Sequence, residues 1–246
     1  MTSKFRSETL DLIHEILFMQ EAEAELEAEK VMGLSDFFYE RSGDTTNSTA
    51  YWVDDDGVMR REEDMAEDSS AKFSTLGASS YLDLAEDYVL RAANANPIID
   101  ANFQQLMTAV KKSLGTIFER EIIDLEGAGR MGFHIFDERA SGEQAQWHVD
   151  MPFENEAIIW PEPVTSPFSF TLPLRLPRGV GGLDFREEEA GQESYYPYTT
   201  GNLYLYTGLF QHRIANPVRV LAGENRITLQ GHGVFSQVSN VGFVYF

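Results

Sequence analysis

Residues 226–235 read RITLQGHGVF. In a strand, alternate side chains share a face, so Arg226, Thr228, Gln230 and His232 point the same way unless a bulge intervenes. Arg226 is a cation in an otherwise uncharged strand, and a histidine stands three steps further along the same face. Segments of the same texture lie on both sides: MGFHIF (131–136), AQWHVDM (145–151), FSFTLPL (168–174), GLDFRE (182–187), NLYLYT (202–207), HRIANPVRV (212–220) and VGFVYF (241–246). Gly, Pro and Asn punctuate them. Many short strands at such spacing indicate a β-sandwich or barrel, and they begin at Gly127-Ala-Gly129.

Before that point helical patterns dominate. Leu10, Ile13 and Leu17 predict an amphipathic helix over 7–32, with Ser7 as its N-cap and Gly33 as its stop. A second helix is expected over 81–95, ended by Pro97, and a third over 98–124, where Phe103, Leu106, Met107, Val110, Leu114, Ile117 and Phe118 keep helical spacing. Residues 41–75 are polar, acidic and rich in turn formers, so a long surface loop is expected there, with a short strand near Tyr51–Val53. Loops of that length often close over active sites. Tyr51 and Trp52 could cover a substrate, and Asp54, Asp55 and Asp56 could hold a cationic group. The expected organisation is a mainly helical support region over 1–126 and a β core over 127–246, integrated into one domain.

The chain has 246 residues, of which 43% are hydrophobic, enough for a sizeable core. No apolar run approaches the ~18 residues of a membrane span, and the N-terminus lacks a signal-peptide pattern. There are no cysteines, which removes disulfides, thiolate nucleophiles and cysteine metal sites and fits a reducing cytoplasm. The net charge of −21 repels phosphate backbones, so nucleic acid is a poor partner, while a cationic substrate is compatible. Phosphate loops, dinucleotide fingerprints, Gly-x-Ser-x-Gly elbows and His-Glu-x-x-His helices are all missing.

Any protein metal site must therefore use His, Asp or Glu. In Trp147-His148-Val149-Asp150, strand alternation puts His148 and Asp150 on one face, where both can bind one ion. His212 would have to arrive from a strand distant in sequence. Three ligands on one side of an octahedron leave three positions for a chelating cosubstrate and dioxygen, the need of a non-haem iron. His-x-Asp alone is common by chance, so order and surroundings carry the argument.

That order resembles the iron(II)/2-oxoglutarate oxygenase superfamily, in its prolyl-hydroxylase-like branch. The family pattern is His-x-Asp, a long interval, a second His, then Arg or Lys followed two residues later by Ser or Thr. The matching positions are His148-Val-Asp150, His212 and Arg226-Ile-Thr228. Gly142 before the first ligand, Gly181-Gly182-Leu-Asp-Phe185, the glycine-started Gly201-Asn-Leu-Tyr-Leu-Tyr206 strand, Pro217-Val218 and Gly223 match the flanks. Phe136 stands where a Tyr is common, and the gap from His212 to Arg226 is a few residues longer than usual, which leaves Arg219 as a competing anchor. The resemblance covers about residues 130–235.

It implies a mainly β protein with N-terminal helices and a distorted double-stranded β-helix (jelly-roll) core. It also implies an iron(II)- and 2-oxoglutarate-dependent dioxygenase that consumes O2, releases succinate and CO2, and hydroxylates an unactivated C–H bond of a small molecule, amino acid or peptide. Iron(II) would bind His148, Asp150 and His212. The far carboxylate of 2-oxoglutarate would meet Arg226 through two parallel hydrogen bonds and Thr228 through a third. Tyr204 and His134 are further candidates to line the cosubstrate pocket. Two alternatives stay open at the level of sequence: a cupin-like metalloenzyme that does not use 2-oxoglutarate, and a catalytically silent ligand-binding barrel.

Overall fold

The structure, a computed structural model, describes residues 13–43, 49–53, 59–63, 71–137, 147–150, 155–179, 181–186, 193–207, 210–215 and 223–246. Its elements in chain order begin with β1 (Ile13–Leu17), α1 (Glu21–Met32), β2 (Tyr39–Gly43), β3 (Thr49–Val53), β4 (Met59–Glu63) and β5 (Ala71–Leu76). Then come α2 (Ala85–Phe118), β6 (Glu121–Asp124), β7 (Gly132–Phe136), β8 (Val164–Arg175), β9 (Gly182–Arg186) and β10 (Glu193–Pro197). The chain closes with β11 (Asn202–Tyr206), β12 (Gln211–Ala215), β13 (Arg226–Ser236) and β14 (Val241–Tyr245).

The main sheet has nine strands in the order β1-β11-β8-β13-β7-β5-β2, with β14 and then β6 added beside β13. β13 is its spine. Its first half pairs β7 (Arg226↔Phe136, Thr228↔His134), its second half pairs β14, and β8 runs along its other edge (Gln230↔Thr171, His232↔Ser169). The smaller sheet is β10-β9-β12.

The two faces of the main sheet differ in kind. Ile227 and Leu229 of β13 join Phe133, Ile135, Phe168, Phe170, Leu172, Leu203 and Leu205 in one buried apolar cluster. α2 closes that cluster with Ile99, Phe103, Leu106, Met107, Val110 and Leu114, and α1 with Ala24, Ala28 and Val31. Gly231 and Gly233 belong to this face: an added Cβ would stand 2.4 Å from the Phe170 ring and 2.1 Å from the Phe168 ring. Bare backbone there lets the two rings lie flat on β13. The opposite face carries Arg226, Thr228, His232, His134, Ser169 and Thr171, all buried. Against one end of that face Leu183 and Phe185 of β9 pack with Ile13, Tyr198, Tyr204 and Tyr206, so the polar residues lie between the two sheets.

Four expectations change, the first being the strand expected over 145–151: its described residues, 147–150, form only an isolated bridge at His148. Ile13–Leu17 is a strand rather than helix; it pairs with β11, and only Glu21–Met32 is helical. The apolar spacing that suggests helix is satisfied there by an edge strand with Ile13 buried and Leu17 exposed. Pro97 does not end a helix: α2 runs unbroken through it from Ala85 to Phe118, and Glu121–Asp124 is strand. Losing one helical hydrogen bond at proline costs about 3 kcal/mol, which the buried stripe from Tyr88 to Leu114 outweighs. The stretch 41–75 is not simply a loop, because β3 pairs with β4 as a hairpin and β5 joins the main sheet. Ser7, Asp54, Asp55, Asp56, Gly142, Pro217, Val218 and Arg219 lie outside the described residues. Among the described residues no helix is long and apolar enough to cross a membrane.

Candidate metal centre

His148 and His212 are joined directly through their backbones. His148 N–H donates to His212 O at 3.0 Å and His212 N–H to His148 O at 2.9 Å, a hydrogen-bonded antiparallel pair that holds the rings 4.5 Å apart. Asp150 enters from two residues beyond His148, and its Oδ1 lies 3.6 Å from His148 Nε2 and 3.4 Å from His212 Nε2. One donor atom from each residue falls within 4.8 Å of the others. Donors about 2.1 Å from a common ion sit about 3 Å apart when cis, so slight contraction brings the three onto one metal.

The partners of these groups suit that use. His212 Nδ1 lies 2.8 Å from the carbonyl of Phe210, which accepts its N–H, so Nε2 is the ring atom that faces Asp150. Burial by itself would raise the Asp150 carboxyl, but the charges of His212, His232 and His148 and the hydrogen bond from His212 hold it well below the usual carboxylate range. Burial lowers His212, yet Asp150 opposes it and leaves the imidazole raised. Asp150 and His212 are buried, while the His148 side chain is 41% exposed. Ser169 Oγ donates to Asp150 Oδ2.

Trp147, the neighbour of His148, carries two guanidiniums over its indole, Arg186 and Arg213, each with its central carbon 4.4 Å from a ring centroid. Arg213 Nε is in turn 3.0 Å from Asp184 Oδ2, and Arg186 Nη2 is 2.6 Å from Glu193 Oε1. Removing this clamp by Trp147→Ala is expected to lower Mn(II) affinity about 10-fold, the low end for partners one step from a metal. Isothermal titration checks this, and an unchanged affinity would mean that Trp147 packs without orienting His148.

Arg226 is completely buried. Its Nη1 donates to Ala215 O at 3.4 Å, and its guanidinium lies 5.5 Å from the Phe136 ring centroid and 6.0 Å from that of Tyr198. Burial pushes its pKa down to about 10, with Tyr198, Tyr195 and Tyr206 opposing. Thr228 is also fully buried, and its Oγ1 has no hydrogen-bond partner among the described residues. Tyr198 flanks the Arg226 guanidinium, Tyr206 flanks His212, and both tyrosines sense the Asp150 charge. The Tyr206 ring lies 5.3 Å from that of His212.

The other two sequence candidates reach the site at one remove. Tyr204 spends its hydroxyl on Glu15 (2.9 Å) and on the Thr199 N–H (2.6 Å), and its ring stacks on Tyr198 at 4.4 Å. His134, the cross-strand partner of Thr228, has Nε2 2.6 Å from the Tyr81 hydroxyl. Sequence reasoning passes over Ser169 and Thr171 and reads Tyr198, in the run Tyr195-Tyr196-Pro197-Tyr198, as barrel packing. The first two were detectable as the alternate polar residues of the apolar run FSFTLP.

The architecture is a double-stranded β-helix. A solved structure of this fold to which the chain is similar is the epimerase SnoN in complex with Fe3+, alpha ketoglutarate and nogalamycin RO, with TM-score 0.50, 10% identity, and coverage of 92% of this chain and 79% of that one. HygX from Streptomyces hygroscopicus with nickel and 2-oxoglutarate bound (TM-score 0.47, 8% identity, 92% and 84% covered) and a Pseudomonas putida prolyl-4-hydroxylase (0.42, 12%, 92% and 93%) also align. No protein-family model and no curated protein matches the chain.

Proposed function

We propose that the protein is an iron(II)- and 2-oxoglutarate-dependent dioxygenase acting on a small molecule, amino acid or peptide. The observation that carries the reading is the space between the two sheets, which is lined both by a His-Asp-His donor set and by a buried guanidinium two residues from a buried hydroxyl that has no partner among the described residues. Two nitrogens and one carboxylate oxygen with open positions suit non-haem iron(II), and Arg226 with Thr228 suits a carboxylate. SnoN binds such a metal and cosubstrate on this fold.

His148, Asp150 and His212 would hold the metal, with His212 kept in the ligating tautomer by Phe210. Arg226 would clamp the far carboxylate of 2-oxoglutarate, and Thr228 would donate its hydroxyl to the same group. His134 and Tyr204 would wall that pocket, His134 beside Thr228 and Tyr204 behind Tyr198. Iron, 2-oxoglutarate and O2 together supply the oxidising power for C–H hydroxylation, with succinate and CO2 released.

Anaerobic titration with iron(II) and 2-oxoglutarate, followed by a substrate screen that reads succinate, tests the assignment. Turnover without succinate would favour a cupin-like enzyme instead, and absence of metal uptake a silent barrel. Thr228→Val separates fold from site. The valine leaves no buried hydroxyl to satisfy, so thermal stability should hold or rise slightly, while the 2-oxoglutarate Kd should rise several-fold, about 1 kcal/mol. Differential scanning calorimetry and cosubstrate titration read the two effects separately.

A further inference from the structure

The two oxygens of Asp150 have different surroundings. Oδ1 faces both imidazole Nε2 atoms, at 3.6 and 3.4 Å. Oδ2 faces away: it accepts the Ser169 hydroxyl and lies 3.9 Å from His232 Nδ1. Ser169 Oγ is itself 3.0 Å from His232 Nδ1. Because the serine proton goes to Asp150, its oxygen accepts from His232, and the three groups form a one-way chain from imidazole N–H to hydroxyl to carboxylate. Ser169 and His232 are direct cross-strand partners at the middle of β8 and β13, 2% and 7% exposed. The Tyr81 ring stands edge-on to His232 at 5.3 Å. The chain is thus built into the best-supported part of the main sheet, whereas His148 and His212 come from the other side.

An aspartate can bind a metal through one oxygen or through both. Binding through both fills a fourth position and leaves two, and a chelating cosubstrate with dioxygen needs three. We propose that Ser169 and His232 are positioning residues that hold Asp150 to single-oxygen binding and so keep three metal positions open. The inference rests on the metal assignment above and not on 2-oxoglutarate.

The test uses the full-length protein loaded with Mn(II) alone, read by water-proton relaxation per bound ion. In Ser169→Ala, Oδ2 is released to join the metal and displace one of three bound waters. The inner-sphere relaxation should then fall by about a third, with Mn(II) stoichiometry unchanged as proof of an intact site. Ser169→Thr, which retains the hydroxyl, should restore the wild-type value. Equal relaxation in wild type and Ser169→Ala at equal stoichiometry would overturn the inference. So would loss of relaxation that Ser169→Thr fails to recover. If the wild-type chain takes up no Mn(II), the metal site falls and the inference with it. Mn(II) uptake without 2-oxoglutarate binding would sink only the cosubstrate reading and leave the inference standing.

Discussion

His212→Ala is expected to weaken Mn(II) or Fe(II) binding by more than about 100-fold, since partners one step removed from a metal already cost about 10- to 100-fold. His212 is the best-fixed of the three donors. It is 2% exposed, paired by its backbone to His148, and locked in its tautomer by Phe210. The same geometry sets a pH dependence. Asp150 raises the His212 imidazole above its ordinary value, so in the metal-free protein the ring keeps its proton to higher pH. A metal must displace that proton, and affinity should fall as pH drops through the His212 pKa, by about tenfold per pH unit once the ring is protonated. Titrations across pH 6 to 8 check the slope. Full metal affinity in His212→Ala would remove the residue from the centre.

Arg226→Ala should raise the 2-oxoglutarate Kd about a hundredfold, the loss of about 3 kcal/mol from a charge-assisted two-point contact. Here function and stability are expected to part. Burial drives the Arg226 pKa down to about 10, so folding works against its charge. Arg226→Met, which fills the space with an apolar chain, should leave the thermal midpoint unchanged or raise it while abolishing tight cosubstrate binding. Arg219→Ala is the matched control and should be silent. Damage from Arg219→Ala with none from Arg226→Ala would reverse the assignment.

The triad stands out in the sequence because histidines are few and His-x-Asp followed by a distant His and an Arg-x-Thr strand is a patterned set. Strands β7, β8, β9, β11, β13 and β14 were legible because buried sheet forces alternation or short apolar runs between turn residues. β1 was not, because five residues on a sheet edge offer the same apolar spacing as one helical turn and a half. The continuity of α2 through Pro97 was hidden for a related reason: the local rule for proline is strict, and the tertiary packing that overrides it leaves no mark at residue 97. Ser169 and Tyr198 gain their meaning from partners far along the chain. Ser169 matters because His232 lies opposite it, and Tyr198 because Tyr204 stacks on it between the sheets.

β13 packs the core with one row of side chains and presents the other row to the polar interior; against β7 it keeps one register over residues 226–230, while its ladder with β8 shifts between Ile227 and Thr228 and again between Gly233 and Phe235. Inserting or deleting a single residue ahead of Thr228 would turn Ile227 and Leu229 toward the polar interior and drive a guanidinium into the layer beneath α2. Such a change would disturb the candidate site and the core in the same step. If the proposed cosubstrate site holds, lineages descending from this chain would alter it most directly by replacing side chains at alternate positions 226, 228, 230 and 232. Length variation would be confined to the connections between strands, and β13 would behave as a ruler whose graduations come in pairs.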